Sequence, residues 1–272
     1  MRASNELDPA DFARRIRLHA LRMVHAARAS HIGSCLSMAD IMAVLYTRVL
    51  RIDPDNPTDP QRDRLVVSKG HAAAIVYASL AERGFFPVSR LETFCRDGSA
   101  LTGHINHAVP GVEVSTGSLG HGLPIAVGMA LVAKADGSAR RIYCLLSDGE
   151  CNEGSTWEAV LFAPHHKLDN LVAIVDFNQI QSFGRVSDVL ALQPFADKWR
   201  AFGWHAIELD GHDVGALTAQ LAIPAQVAGR PTVVIAHTVK GKGVSFMEDK
   251  LEWHYKSPDD QQFAVACAEV GA

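Results

Sequence analysis

Short aliphatic runs recur along the chain, each bounded by turn residues. They fall at 65–67, 142–146, 171–175, 205–209 and 232–236. Their apolar positions are continuous rather than alternating, the pattern of strands buried on both faces of a parallel sheet. Between them lie helical patterns. Residues 40–50 carry apolar positions at helical spacing, with Ser37 and Asp40 set as a capping box. Residues 71–83 are alanine-rich and stop at Gly84, and 124–134 opens on Pro124. Ser155 and Glu158 form a second capping box before 157–166, and 214–227 is a weaker helix. Strands alternating with helices predict an α/β domain: a parallel sheet with helices on both faces. Ligands of such sheets sit beyond the carboxyl ends of the strands.

Composition narrows the class. A chain of 272 residues, 48% apolar, is long enough for a sizeable core. Its net charge is only -4 and its basic residues do not cluster, which argues against nucleic acid or an anionic membrane as partner. The first ten residues are polar and acidic, unlike a signal peptide, and the longest apolar stretch, 123–133, is too short to span a bilayer. The cysteines, Cys35, Cys95, Cys144, Cys151 and Cys267, include no CxxC pair and read as reduced thiols of a cytoplasmic protein.

The densest chemistry follows the second run, in Ser147-Asp148-Gly149-Glu150-Cys151-Asn152-Glu153-Gly154-Ser155. A strand delivers Asp148 at its end. The next strand ends in Asp176-Phe177-Asn178-Gln179-Ile180, about thirty residues on, the length of a βαβ unit. A carboxylate, an amide oxygen and a backbone carbonyl suit hard Mg2+, which fills its octahedron with phosphate and water oxygens. The same Asp-Gly pair also serves as an ordinary turn after a strand.

This stretch resembles the thiamine diphosphate signature, with Ser147 in place of its first glycine. The resemblance implies Asp148, Asn178 and the Ile180 carbonyl as Mg2+ ligands (with Ca2+ or Mn2+ as substitutes), and Gly149 and Glu150 beside the diphosphate. Further segments resemble the transketolase N-terminal domain in order: Ser30-His31-Ile32-Gly33, Ser68-Lys69-Gly70-His71-Ala72, Gly103-His104, the run from Pro110 to Gly122, Lys240-Gly241-Lys242-Gly243 and Glu252-Trp253-His254. They cover residues 17–257, leaving 1–16 as an extension and 258–272 as a tail. The resemblance implies His71, Asn178, Lys240 and His254 as cofactor contacts, and Gly117, Ser118 and Leu119 as a turn against the aminopyrimidine. His31, His71, His104 and His254 would line the approach to the reacting carbon and bind sugar hydroxyls or relay protons. His107, His121, His165 and His166 carry no such expectation. His121 and Ile105 stand where the family has glutamine and proline. The loop after Ile180 is shorter than in full-length relatives, so Gln181 and Ser182 receive no role. Glu153 resembles a member of a carboxylate network at the family's subunit interface; the alternative is a helix-start carboxylate.

The family's activating glutamate belongs to a pyrimidine-binding domain that this sequence does not contain. The resemblance, including the Ser34-Cys35-Leu36-Ser37 variant, therefore implies the N-terminal subunit of a split transketolase. A partner chain would supply the pyrimidine-binding and C-terminal domains, plausibly in an α2β2 assembly, for transfer of a two-carbon ketol unit from a ketose to an aldose. The alternatives are a non-catalytic cofactor-binding module, or a component resembling 1-deoxyxylulose-phosphate synthase or a 2-oxo acid dehydrogenase. The sugar substrate is not legible.

Overall fold

A computed structural model describes residues 7–222 and 227–271. Helix α1 (Pro9–Ala27) starts at Asp8, whose carboxylate accepts from the Asp11 amide, with Pro9 where the first turn needs no donor. There follow α2 (Ile32–Ser37), α3 (Ala39–Val44), β1 (Arg64–Val67), α4 (Ala73–Arg83), α5 (Gly122–Ala135), β2 (Ile142–Ser147), α6 (Gly154–His165) and β3 (Leu171–Phe177). A small hairpin, β4 (Ile180–Gln181) and β5 (Gly184–Arg185), leads to α7 (Val186–Val189) and α8 (Phe195–Ala201). The chain ends through β6 (His205–Asp210), α9 (Val214–Leu221), β7 (Thr232–His237) and α10 (Asp260–Gly271).

The long strands form one parallel sheet in the order β1-β2-β3-β7-β6. Alternate side chains feed two cores. Tyr143, Leu145, Val172, Ile174, Val234 and Ala236 pack with apolar residues of α1, α3, α4 and α9. Cys144, Leu146, Ala173, Val175, Val233 and Ile235 pack with α5, α6 and α8, where Trp199 and Trp204 are buried. Helices on both faces explain why the central strands β2, β3 and β7 are almost continuously apolar, whereas the edge strand β6 carries His205, Glu208 and Asp210.

All five strands lie where the sequence pattern puts them. The helices show instructive departures. The 71–83 helix begins as a single tight turn, Gly70–Ala72, before α4, and ends at Gly84 with φ of 101°. The 40–50 helix is α3 followed by a wider π-type turn, Leu45–Val49. Neither capping box forms. Met38 precedes α3 without a side-chain cap, and the Ser37 hydroxyl donates to Asp176 at 2.6 Å instead. Glu153 precedes α6, and the Ser155 hydroxyl donates to the Gly120 carbonyl at 2.8 Å. In both cases a tertiary acceptor outcompetes the local one. Of the 214–227 helix, α9 ends at Leu221, and residues 223–226 lie outside those described. Helix α1 crosses residue 16, burying Phe12 and Ile16, and α10, within the expected tail, packs against it. Among the described residues no helix is long and apolar enough to cross a membrane.

Candidate active site

The carboxyl ends of β1, β2 and β3 converge on a cavity of about 330 Å³. Strands β2 and β3 pair with Ser147 opposite Asp176, so the loops that follow open side by side. The Asp148 carboxylate accepts from the Gly149 amide at 2.7 Å and the Gln179 amide at 2.5 Å. Asn178 Oδ1 accepts from the Ile180 amide at 3.2 Å, and its amide nitrogen donates to Asp176 at 3.2 Å. The Ile180 carbonyl accepts from Lys240 Nζ at 2.9 Å. Asp148, Asn178 and Ile180, predicted as a set, all line this cavity.

Burial, with the neighbouring Asp176 carboxylate, pushes Asp148 up to about 6. A buried carboxylate beside an amide oxygen and a carbonyl is an all-oxygen donor set, the kind a hard divalent ion takes. Among the described residues no three His, Cys, Asp or Glu side chains converge as a metal cluster, so an ion here depends on the Asn178 and Ile180 oxygens. In the same cavity, Asn152 Nδ2 is buried without a partner, a donor left for an acceptor-rich group. These residues fit Mg2+ and a diphosphate.

Four histidines line the same cavity. The His31 ring lies 5.1 Å from His71, 5.9 Å from His104 and 5.1 Å from His254, centre to centre. His31 sits in left-handed backbone with φ of 74°, and its amide donates to the His254 carbonyl at 2.9 Å. Burial first, then His104 and the Lys240 and Lys69 ammoniums, push His31 down to about 4. Burial and Lys240 push His254 down to about 3, and burial and Lys69 hold His71 well below the usual range. These three rings are therefore neutral at pH 7. Lys240 Nζ donates to His254 Nδ1 at 2.8 Å, which places the His254 proton on Nε2. Lys240 is itself lowered to about 8, by burial and then by Lys69.

A polar core beneath the cavity was missed as a site by sequence reasoning. Lys69 and Asp176 are fully buried and ion-paired, and Asp176 also accepts from Ser37 and Thr238. Burial alone would raise the Asp176 carboxyl; Lys69 and the hydroxyls outweigh it and hold it below its ordinary value. The signal was Lys69 inside the Ser68–Ala72 motif, where a surface lysine would not need glycine on its flank. Gly70 leaves no room for a side chain: a Cβ would lie 2.2 Å from the Thr116 carbonyl oxygen. This contact brings the turn at Gly117 and Leu119 to the cavity; a Cβ on Gly117 would meet His104 at 2.9 Å. Ser118 is not in the cavity lining. The Ile105 amide donates to the Gly70 carbonyl at 3.1 Å, a bond the family's proline could not make.

Glu150 is turned away from the cavity. Its carboxylate accepts from Ser68, from the Gly120 amide at 2.8 Å and from the Ser147 amide at 3.3 Å, which replaces direct contact by support of the 117–120 turn. The Glu150 amide in turn donates to the Ser147 hydroxyl at 3.3 Å. Glu153 lines the cavity and makes no cap bond to α6. Gln181 and Ser182, left without a role above, also line it, as does Phe183, and Gln181 donates to Asn152 at 3.1 Å. His107, His121, His165 and His166 lie outside it.

Known proteins resemble this chain in sequence and fold. The profile of the family described as transketolase, thiamine diphosphate binding domain, matches residues 9–271. A 6-deoxy-6-sulfo-D-fructose transketolase subunit of Clostridium sp. (strain MSTE9) is 39% identical over 98% of each chain. An apulose-4-phosphate transketolase subunit of Actinobacillus succinogenes is 46% identical over 88% of this chain and 87% of its own. The solved transketolase of Leishmania mexicana superposes with a TM-score of 0.91 at 32% identity, over 97% of this chain. The match spans only 41% of that longer enzyme. The chain belongs to the transketolase family, to its thiamine diphosphate-binding domain.

Proposed function

We propose that this chain is the cofactor-holding subunit of a two-component transketolase, transferring a two-carbon ketol unit from a ketose to an aldose. The observation that carries the reading is one cavity lined both by Asp148, Asn178 and Ile180 and by four histidines. Relatives matched over nearly their whole length are named as transketolase subunits, which supports a separate partner chain. That partner would bring the pyrimidine-binding and C-terminal domains, in an α2β2 assembly with Glu153 near the contact. Substrate class follows the relatives only as far as a ketose donor.

Asp148, Asn178 and the Ile180 carbonyl would hold Mg2+ (or Ca2+ or Mn2+), and the ion would hold the diphosphate. Gly149 and Asn152 line the cavity and Lys240 bonds to its Ile180 and His254, so a diphosphate held there would offset the burial that lowers Lys240. Thiamine diphosphate supplies the carbon nucleophile and the electron sink for cleavage of the ketose. The chain's own residues position and move protons. Neutral His31, His71 and His254 can donate to or accept from sugar hydroxyls without the cost of burying a charge. With Nδ1 occupied by Lys240, His254 offers its Nε2 proton. The histidine wall favours this reading over a non-catalytic diphosphate-binding module, which needs no such wall.

Calorimetric titration tests it. The wild type should bind thiamine diphosphate only with Mg2+, and Asp148→Ala should abolish that binding. Tight Mg2+-dependent binding by Asp148→Ala would refute the metal assignment.

A further inference from the structure

Lys240, bonded to the cavity residues Ile180 and His254, stands on a loop that a second polar chain grips from behind. Arg17 on α1 donates to both oxygens of Asp40, at 3.0 and 2.6 Å. Asp40 Oδ2 lies 2.7 Å from His212 Nδ1. The Val239 amide donates to His212 Nε2 at 2.9 Å. An amide can only donate, so Nε2 bears no proton. His212 is then neutral, with its proton on Nδ1 and directed at Asp40. One tautomer satisfies both ends of the chain, and Asp40 is what selects it.

The contact is built closely. The Gly211 amide donates to the His237 carbonyl at 2.8 Å, and a Cβ on Gly211 would stand 2.4 Å from Thr238 Cγ2. Only glycine lets the loop after β6 lie against the loop after β7 there. On its other side Thr238 is tied to Asp176. Residues 238–240 are thus held from β3 through Thr238 and from α1 and α3 through His212. Lys240, the next residue after Val239, is nearly fully buried and meets the Ile180 carbonyl and His254. None of Arg17, Asp40 and His212 lines the cavity.

We propose that His212, oriented by Asp40, is a positioning residue: it accepts the Val239 amide and so fixes where the Lys240 ammonium stands between the Ile180 carbonyl and His254. Its effect on cofactor binding rests on the proposed role of Lys240. The same chain of bonds couples the packing of α1 on α3 to the cofactor cavity, a connection that no single site residue reveals.

The test uses the full chain and four variants: His212→Ala, His212→Gln, His212→Asn and Lys240→Ala. Glutamine can place an acceptor where Nε2 stands, whereas asparagine reaches only as far as Nδ1. Hydrogen exchange of the segment around Val239 and the dissociation constant for thiamine diphosphate with Mg2+ are read together. His212→Ala should speed exchange at Val239 and weaken binding on the order of tenfold, the low end for loss of an outer-shell partner. His212→Gln should restore both in part and His212→Asn should not. His19, paired with Glu82 at 2.8 Å outside the cavity, gives the control, because His19→Ala should leave both readouts unchanged. Unchanged exchange at Val239 in His212→Ala overturns the proposal, as does rescue by asparagine and not glutamine. A Lys240→Ala chain that binds cofactor as wild type overturns instead the role of Lys240, and the exchange readout still decides the positioning.

Discussion

Lys69 and Asp176 show what a buried charge requires. Each is fully enclosed, and each would be costly alone. Lys69→Met keeps the volume and strands the carboxylate, so it should cost about 3–5 kcal/mol in urea denaturation. A loss under about 1 kcal/mol would mean that Ser37, Thr238 and Asn178 satisfy Asp176 without it. The histidines give a pH dependence. His31 titrates near 4 in the folded chain against the usual 6.5. Between those values the unfolded chain binds the extra proton, so stability is complete above about 6.5 and is lost as pH falls toward 4. The denaturation midpoint should fall across that window, and His31→Asn should make the fall shallower. Parallel profiles for the two chains would remove His31 as a source. The sequence showed the four histidines through their motifs, but not that three would be neutral. That follows from burial beside Lys69 and Lys240, which are distant from each other in the chain.

At the scale of elements, strands were more legible than helix ends. A continuous aliphatic run between turn residues has few alternatives in an α/β domain, and β1, β2, β3, β6 and β7 match the runs. Helix starts depend on where a hydroxyl finds its acceptor. Ser37 and Ser155 have local partners in sequence, yet bond across the fold to Asp176 and Gly120. Asp213 shows the local case: its carboxylate accepts from the Ala216 amide at 2.9 Å at the start of α9. Asp213→Ala should lower stability by about 1 kcal/mol in thermal or urea denaturation, and no effect would deny the cap its value. Helix α1 escaped attention although Asp8 and Pro9 signal its start, because its arginines obscure the apolar face at Phe12, Ile16 and Ala20. The turn before α4 offers a sharper test. Gly70→Ala would force the Thr116 backbone away, costing about 1–3 kcal/mol and weakening cofactor binding together. Unchanged stability and binding would show that the turn yields freely.

For the whole molecule, the reading is of an enzyme divided between two chains. The purified chain should bind cofactor and show no ketol transfer. A chain co-purifying from the native host, with pyrimidine-domain features, should restore turnover at a mass matching two copies of each. Full turnover by this chain alone would sink the two-component reading. The sequence disclosed the cavity through its ordered motifs, of which those at 68–72, 147–155 and 176–180 follow strand ends, whereas the grip of α1 and α3 on Lys240 needs three dimensions. Strand register has a final consequence. The Asp148 and Asn178 loops are set side by side by the β2–β3 ladder, not by the helix joining them. The number of residues between them can therefore drift over evolutionary time, through insertions before β3, while their separation in space stays constant. An insertion within β3 would instead turn its side chains to the wrong face. Two ligands far apart in the gene thus behave as one heritable unit, fixed by a shared ladder and indifferent to the length of the thread between them.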